Sequence, residues 1–100
     1  MGLVSRLRRR LSHLANWAIG SEKVSYAQCG EDLIVDYVLA VLDVGQVSYL
    51  DIGAHHPRYL SNTYYFYRQG GRGVCVEPDP NALKAFKHVR PRDICLPVGI

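Results

Sequence analysis

The chain has 100 residues, of which 48% are hydrophobic and 21% are charged. This composition is typical of one globular domain and excludes a disordered chain of low hydrophobicity. The formal net charge is +3, but residues 1–23 carry +4, which leaves −1 for residues 24–100. Because nucleic-acid-binding domains concentrate Lys and Arg on the fold itself, the charge distribution predicts no nucleic-acid partner.

The first twenty residues have apolar side chains at helical spacing, with arginines between them. The apolar positions are Leu3, Leu7, Leu11, Leu14 and Ala18. We predict a basic amphipathic helix, and we treat residues 1–23 as an extension that precedes a domain of residues 24–100. Such a helix usually packs on its own protein. The alternative is peripheral contact of residues 1–20 with an anionic membrane, with Trp17 at the interface.

A second helix is predicted over residues 25–44. Ser25 and Gln28 match the S-x-x-Q capping box at its start, and Gly45 is expected to end it. Three acidic residues mark the side expected to face solvent: Asp32, Asp36 and Asp43. The remaining surface is apolar and is expected to need a sheet or another helix to cover it; it comprises Leu33, Ile34, Tyr37, Val38, Val41 and Leu42.

From Val47 onward, short apolar runs alternate with helical segments. Strands are predicted at 48–53, 73–77 and 94–100, and helices at 61–69 and from Asp79 to about Val89, with Ser61 and Asp79 as N-caps. The aromatic residues at 64–67 are expected to fill the space between helix and sheet. This order predicts an α/β fold with a Rossmann-like parallel sheet and right-handed crossovers.

The turn after the first predicted strand is the candidate ligand site, because ligands of such sheets bind at the carboxyl ends of the strands. Asp51 places a carboxylate there, and Gly53 allows a sharp turn. The dinucleotide fingerprint G-x-G-x-x-G fails, since His55 and Arg58 stand where its later glycines would be. A turn with carboxylates suits S-adenosylmethionine, which has no phosphate. A structural turn in which Asp51 only caps local N–H groups is an equal alternative.

Glu77 ends the second predicted strand, 24 positions after Gly53, where an acid can accept hydrogen bonds from both ribose hydroxyls. Asn62 is expected either to orient a ligand or to cap its helix. His55 and His56 suggest a metal or a base, but adjacent residues point apart and no third ligand accompanies them. We therefore predict no metal site, and we expect His55 to line the loop and to contact the cofactor there.

The cysteines and the hydropathy of the sequence indicate the cellular compartment of the protein. Cys29, Cys75 and Cys95 are widely spaced and form no C-x-x-C pair, so neither a disulfide framework nor a zinc site is indicated. No apolar stretch approaches the roughly 18 to 20 residues that cross a bilayer. We expect a cytoplasmic protein, with peripheral membrane contact as the alternative.

The runs YAQCGEDLIV (26–35) and YLDIGAHHPRYLSNTYYFYRQGGRGVCVEPDP (49–80) resemble the FkbM family of methyltransferases. The resemblance implies a Rossmann-like domain that binds S-adenosylmethionine and methylates a hydroxyl oxygen of a sugar or another small metabolite. It implies that Asp51, Gly53 and Ala54 form the cofactor turn and that Glu77 holds the ribose. Gln28, Glu31 and Asp32 match the motif that precedes the first strand and would border the cofactor pocket.

The family's domain continues beyond a third strand, so the resemblance implies that residues 24–100 are its N-terminal half. The sheet is then expected to be incomplete, with a free edge that invites self-association. No residue is identified as the general base. Three interpretations remain: a methyltransferase fragment, a non-catalytic binding module tethered by its basic helix, and a nicotinamide-dependent oxidoreductase fragment, which the missing glycines disfavour.

Overall fold

A computed structural model describes residues 2–5, 7, 8, 11 and 22–99. Residues 2–5, 7, 8 and 11 are helical, as predicted, whereas Leu14, Trp17 and Ala18 lie outside the described residues. Four apolar side chains of this N-terminal helix are exposed: Leu3, Val4, Leu7 and Leu11. The described part of the helix therefore does not pack its apolar residues on the protein, contrary to the interpretation that is usual for such helices.

Three helices alternate with three strands within residues 22–99. They are α1 (Glu31–Val41), β1 (Ser48–Ile52), α2 (Tyr64–Arg68), β2 (Arg72–Val76), α3 (Pro80–Val89) and β3 (Ile94–Leu96). The strands form a parallel sheet in the order β1-β2-β3. The predicted α/β fold with three parallel strands is confirmed, although β3 is shorter than expected. No helix of the described residues has the length and apolarity needed to cross a membrane.

The two faces of the sheet have different surroundings. On one face, Tyr49 and Cys95 pack against a buried cluster of Ala54, Cys75 and Phe86, the last from α3. The opposite face is apolar and exposed through Leu50, Ile52, Ile94 and Leu96. Parallel sheets are usually covered on both faces, so this apolar face is unusual. In the part of the chain that the structure describes, β1 pairs with β2 alone, so its other edge is unpaired there.

Helix α1 does not begin as predicted. It starts at Glu31, with Gly30 at φ +80° as its N-cap and without a side-chain cap, so the capping box of Ser25 and Gln28 is wrong. The reason lies in Asp32, whose carboxylate accepts the Ser25 hydroxyl at 2.5 Å and the Tyr26 N–H at 2.7 Å. These bonds hold the segment before the helix in a turn. The helix ends at Val41, before Gly45.

The orientation of α1 is also opposite to the prediction. Asp32 and Asp36, expected to face solvent, are 1% and 5% exposed. Asp36 accepts a hydrogen bond of 2.8 Å from the buried Tyr65 hydroxyl of α2. Most of the apolar surface that was expected to be buried is exposed instead, namely Ile34, Tyr37, Val38, Val41 and Leu42. The two carboxylates face the fold because hydroxyl and N–H donors lie there.

Helices α2 and α3 follow the sequence more closely. Asp79 caps α3 through a bond of 2.9 Å from the Asn81 N–H, with Pro80 at the first helical position, as predicted. The prediction of Ser61 as N-cap of α2 is wrong, because the helix begins at Tyr64 and its N-cap is Thr63, without a side-chain cap. Ser61 lies in the turn before the helix, where its hydroxyl oxygen accepts the Tyr64 N–H at 3.1 Å. Three of the four aromatic residues of α2 are buried, as expected.

Buried thiol and phenol groups make the protein sensitive to alkali. Burial raises the pKa of Cys75 from 9.0 to about 12, and burial together with a hydrogen bond to Asp93 raises the pKa of Tyr49. The folded state therefore keeps protons that the unfolded state loses above its own pKa values. We expect the free energy of unfolding to be flat to about pH 8 and to fall as the pH rises from about 9 to 12. Urea denaturation at several pH values measures this, and an unchanged free energy at about pH 11 would contradict it.

Candidate functional site

The turn after β1 folds over the end of β2. Gly53 has φ +69°, and the N–H groups of Gly53 and Ala54 both donate to the Val76 carbonyl, at 2.8 and 3.1 Å. Ala54 is 8% exposed and belongs to the core cluster with Cys75 and Phe86. The carboxyl ends of the two strands therefore meet at the predicted turn, and the Ala54 side chain has a packing role there.

Glu77 follows β2 and contacts this turn directly. Its carboxylate accepts the His55 N–H at 2.8 Å through Oε1 and the Asp79 N–H at 3.0 Å through Oε2, and the residue is 7% exposed. These two hydrogen bonds to backbone N–H groups account for the burial of Glu77. The sequence analysis did not predict them. A carboxylate offers about four lone-pair positions, so acceptor capacity remains for a ligand hydroxyl.

Asp51, the other predicted carboxylate, is half-buried at the end of β1. Its Oδ2 atom accepts the Thr63 hydroxyl at 2.7 Å. No described backbone N–H donates to Asp51, so capping of local N–H groups does not account for it. Among the described residues its Oδ1 atom has no hydrogen-bond partner. This oxygen is free to accept a hydrogen bond from a ligand.

A buried ion pair that the sequence analysis missed supports the turn. Arg90 is fully buried, and its guanidinium lies 2.7 Å from the Asp93 carboxylate. It also donates to the Pro57 carbonyl at 3.1 Å and to the Thr63 hydroxyl oxygen at 2.9 Å. Arg90 thus connects the end of α3 to the loop after β1 and to the residue that donates to Asp51.

Aromatic rings surround the positively charged guanidinium of Arg90. The guanidinium carbon lies 5.2 to 5.4 Å from three ring centroids, those of Tyr49, Tyr67 and Phe86. Such contacts are attractive for a cation. One signal was present in the sequence, because Arg90 continues the spacing of the buried residues Leu83 and Phe86 and so occupies a position where a core residue is expected.

His56 acts within the loop as a hydrogen-bond acceptor. Its Nδ1 atom accepts the N–H groups of Arg58 at 3.1 Å and Tyr59 at 2.7 Å. In the neutral ring the proton is therefore assigned to Nε2, which is then a donor and cannot accept a proton from a substrate. In the part of the chain that the structure describes, no three His, Cys, Asp or Glu residues lie close enough to bind a metal ion.

The other predicted site residues lie on the surface. Gln28, Glu31 and Asn62 are exposed. The Glu31 carboxylate accepts the Cys29 N–H at 3.0 Å, and the Tyr64 N–H at the start of α2 donates to the Ser61 hydroxyl oxygen rather than to Asn62. No described hydrogen bond joins these three residues to the turn. Their part in cofactor binding stays a prediction.

Described residues near the turn and α1 line two clefts. The larger, of about 420 Å³, is lined by Ser25, Tyr26, Ala27, His56, Arg58, Tyr59 and Leu60. The other, of about 350 Å³, is lined by Glu22, Lys23, Val24, Tyr26, Asp36, Tyr65, Arg68 and Gln69. Neither includes Asp51 or Glu77, so the predicted cofactor carboxylates lie outside both clefts.

Replacing His55 with glycine is expected to stabilise the fold by about 1 kcal/mol, because His55 has φ +62° and only glycine adopts this conformation without a steric penalty. The His55 side chain is exposed, and the N–H that binds Glu77 is retained. Thermal and urea denaturation measure the change. His88→Gly in α3 is the control and is expected to destabilise, since glycine weakens a helix. A lower stability of His55→Gly would contradict the prediction.

Comparison of the chain with models of protein families, with curated proteins and with solved structures found no match. The function is therefore inferred from the geometry of the chain's own residues together with the family resemblance of its motifs.

Proposed function

We propose that residues 24–100 form the cofactor-binding half of an S-adenosylmethionine-dependent methyltransferase that acts on a hydroxyl oxygen of a sugar or another small metabolite. One observation carries most of the proposal. The hydrogen bond from the His55 N–H to Glu77 joins the turn after β1 to the acid at the end of β2. These are the two elements that cofactors contact in Rossmann-like sheets.

The residues present fit this cofactor chemically. The free Oδ1 atom of Asp51 is an acceptor for an ammonium group or a hydroxyl, and the unused lone pairs of Glu77 are acceptors for ribose hydroxyls. Gly53 lets the backbone pass close to a ligand. A dinucleotide fits less well, because His55 and Arg58 replace glycines that a pyrophosphate needs and because Pro78 and Asp79 offer no partner to a 2′-phosphate.

In methyl transfer the protein mainly aligns the reacting atoms. When bound, the cofactor supplies a methyl group on a positively charged sulfur. Asp51 and Glu77 would hold this cofactor, which would supply an activated methyl group for transfer to the acceptor oxygen. Asp51 and Glu77 orient the ligand. His56 is not assigned as the base, because its Nδ1 atom already accepts the N–H groups of Arg58 and Tyr59.

Calorimetric titration with S-adenosylhomocysteine tests the proposal. We expect saturable binding, no binding of NAD, and at least about tenfold weaker binding by Asp51→Asn, since a hydrogen bond to a charged group contributes about 1.5–3 kcal/mol. Glu22→Gln, which changes an exposed carboxylate, is the matched control and should bind normally. Absence of binding by a wild-type sample that circular dichroism shows to be folded would exclude the methyltransferase.

A non-catalytic module tethered to a membrane is the second candidate, and the exposed N-terminal helix favours it. Leu3, Leu7 and Leu11 are exposed on the segment that also carries Arg8. This second proposal includes a cytoplasmic location with peripheral membrane contact. The three cysteines are free thiols, as is usual for proteins of a reducing compartment. We expect co-sedimentation with phosphatidylserine vesicles, reduced by Arg8→Glu but not by Lys84→Glu in α3. Equal loss in both variants would indicate non-specific charge attraction.

A further inference from the structure

The larger cleft adjoins the predicted cofactor turn. It lies between residues 25–27, before α1, and residues 56–60, in the loop after β1. His56 directly follows His55, whose N–H binds Glu77. The volume of about 420 Å³ falls within the range of about 300–1,000 Å³ found for small-molecule sites. A ligand in this cleft would lie beside a ligand held by the turn.

The wall formed by residues 25–27 is held by side chains of both neighbouring helices. Asp32 accepts the N–H groups of Tyr26 and Ala27, at 2.7 and 3.2 Å. The Tyr26 hydroxyl accepts a bond of 2.7 Å from Arg68, and its ring meets that of Tyr64 edge to face at 4.7 Å. Tyr26 therefore presents a positioned aromatic surface.

The opposite wall is organised by His56. Its Nδ1 atom accepts the N–H groups of Arg58 and Tyr59, and its ring lies edge to face with the Tyr59 ring at 6.2 Å. The proton assigned to Nε2 makes this atom a donor. The Tyr59 side chain is 71% exposed and Leu60 is 48% exposed, so both offer uncovered apolar area.

Arg58 is the charged residue that lines this cleft. The salt bridge that the described residues form joins Arg90 to Asp93 and does not involve Arg58, and the Asp32 carboxylate behind the wall of residues 25–27 is already hydrogen-bonded to those residues. No acidic residue lines the cleft. A guanidinium and an N–H donor beside two aromatic rings and a leucine favour a ligand that combines a carboxylate or phosphate with an apolar ring.

We propose that this cleft binds the methyl acceptor and that the acceptor is a small organic anion with an aromatic ring. The assignment of the ligand as the methyl acceptor rests on the proposed function. The preference of the cleft for a ring-bearing anion rests on the residues of the cleft alone. Arg58 and the Nε2–H of His56 hold the anionic group. Tyr26, Tyr59 and Leu60 contact the ring and exclude water from it.

The full chain is titrated with 4-hydroxybenzoate by calorimetry and by two-dimensional NMR, with 4-hydroxybenzamide as the neutral match and glucuronate as a sugar anion. We expect 4-hydroxybenzoate to bind most tightly. Arg58→Gln should weaken its binding at least about tenfold. Arg72→Gln, at the start of β2 and so at the opposite end of the sheet, should bind normally.

Absence of binding by folded wild-type protein, equal binding of the amide, tighter binding of glucuronate, or an unaffected Arg58→Gln variant would each overturn the proposal. Separate titration with S-adenosylhomocysteine distinguishes the two proposals. If 4-hydroxybenzoate binds through Arg58 but S-adenosylhomocysteine does not bind, the proposed function and the acceptor assignment fail, and a site for ring-bearing anions stands.

Discussion

Replacing Arg90 with methionine is expected to lower the free energy of unfolding by about 3–5 kcal/mol, because it leaves the Asp93 carboxylate buried without its cation. Arg90 is fully buried and Asp93 is 9% exposed, so solvent screens their interaction little. The substitution also removes the bonds to Pro57 and Thr63. Domains of this size are stable by about 5–15 kcal/mol, so the loss is a large fraction of the total stability and should clearly lower the urea concentration at the midpoint of unfolding.

Urea denaturation followed by circular dichroism measures this loss. Lys87→Met is the matched control, since Lys87 is exposed on the same helix, and its effect should stay within about 0.5 kcal/mol. Arg90→Lys keeps a cation but loses the planar set of donors, and we expect an intermediate loss. If Arg90→Met lowers the free energy of unfolding by less than about 1 kcal/mol, the buried ion pair does not stabilise the fold as its burial indicates.

Glu77→Gln is expected to affect both cofactor binding and stability. The carboxylate accepts the N–H groups of His55 and Asp79 with different oxygens, and an amide can accept with only one of them. One N–H then faces the amide nitrogen, which should lower the free energy of unfolding by about 1–2 kcal/mol. The affinity for S-adenosylhomocysteine should fall by about 10- to 100-fold, because the ribose hydroxyls lose a charged acceptor.

Calorimetry at a temperature where wild type and variant are both folded separates the two effects. Tyr65→Phe is the control for general destabilisation, since the Tyr65 hydroxyl donates to the buried Asp36 carboxylate and lies apart from the predicted cofactor contacts. A destabilised Glu77→Gln variant that binds S-adenosylhomocysteine as tightly as wild type would show that Glu77 serves the loops alone.

Much of the fold was predictable because its causes are local. The alternation of strand and helix patterns predicts the parallel α/β order, and the cap of Asp79 with Pro80 predicts the start of α3. Gly53 and Glu77 were predicted to lie at the ends of the first and second strands. The hydrogen bonds from the turn to Val76 and to Glu77 agree with this placement.

Helix α1 shows where local patterns were insufficient. Its sequence separates an acidic side from an apolar side, but which side faces inward depends on what the rest of the chain presents. Tyr65 and Ser25 supply hydroxyl donors to Asp36 and Asp32, so these carboxylates are buried and hydrogen-bonded rather than solvated. These donors come from other segments, and periodicity within the helix carries no information about them.

The sequence by itself therefore determined the class of fold, the order of its elements and the turn where a ligand is expected, because propensity, capping and hydrophobic period act between near neighbours in the chain. Only the tertiary structure decided the orientation of α1, the partners of Glu77 and the burial of Arg90. Arg90 is 27 residues from Thr63 and 33 from Pro57 along the chain. A buried charge is tolerated only where the whole fold supplies its partners, and that condition is met only after folding.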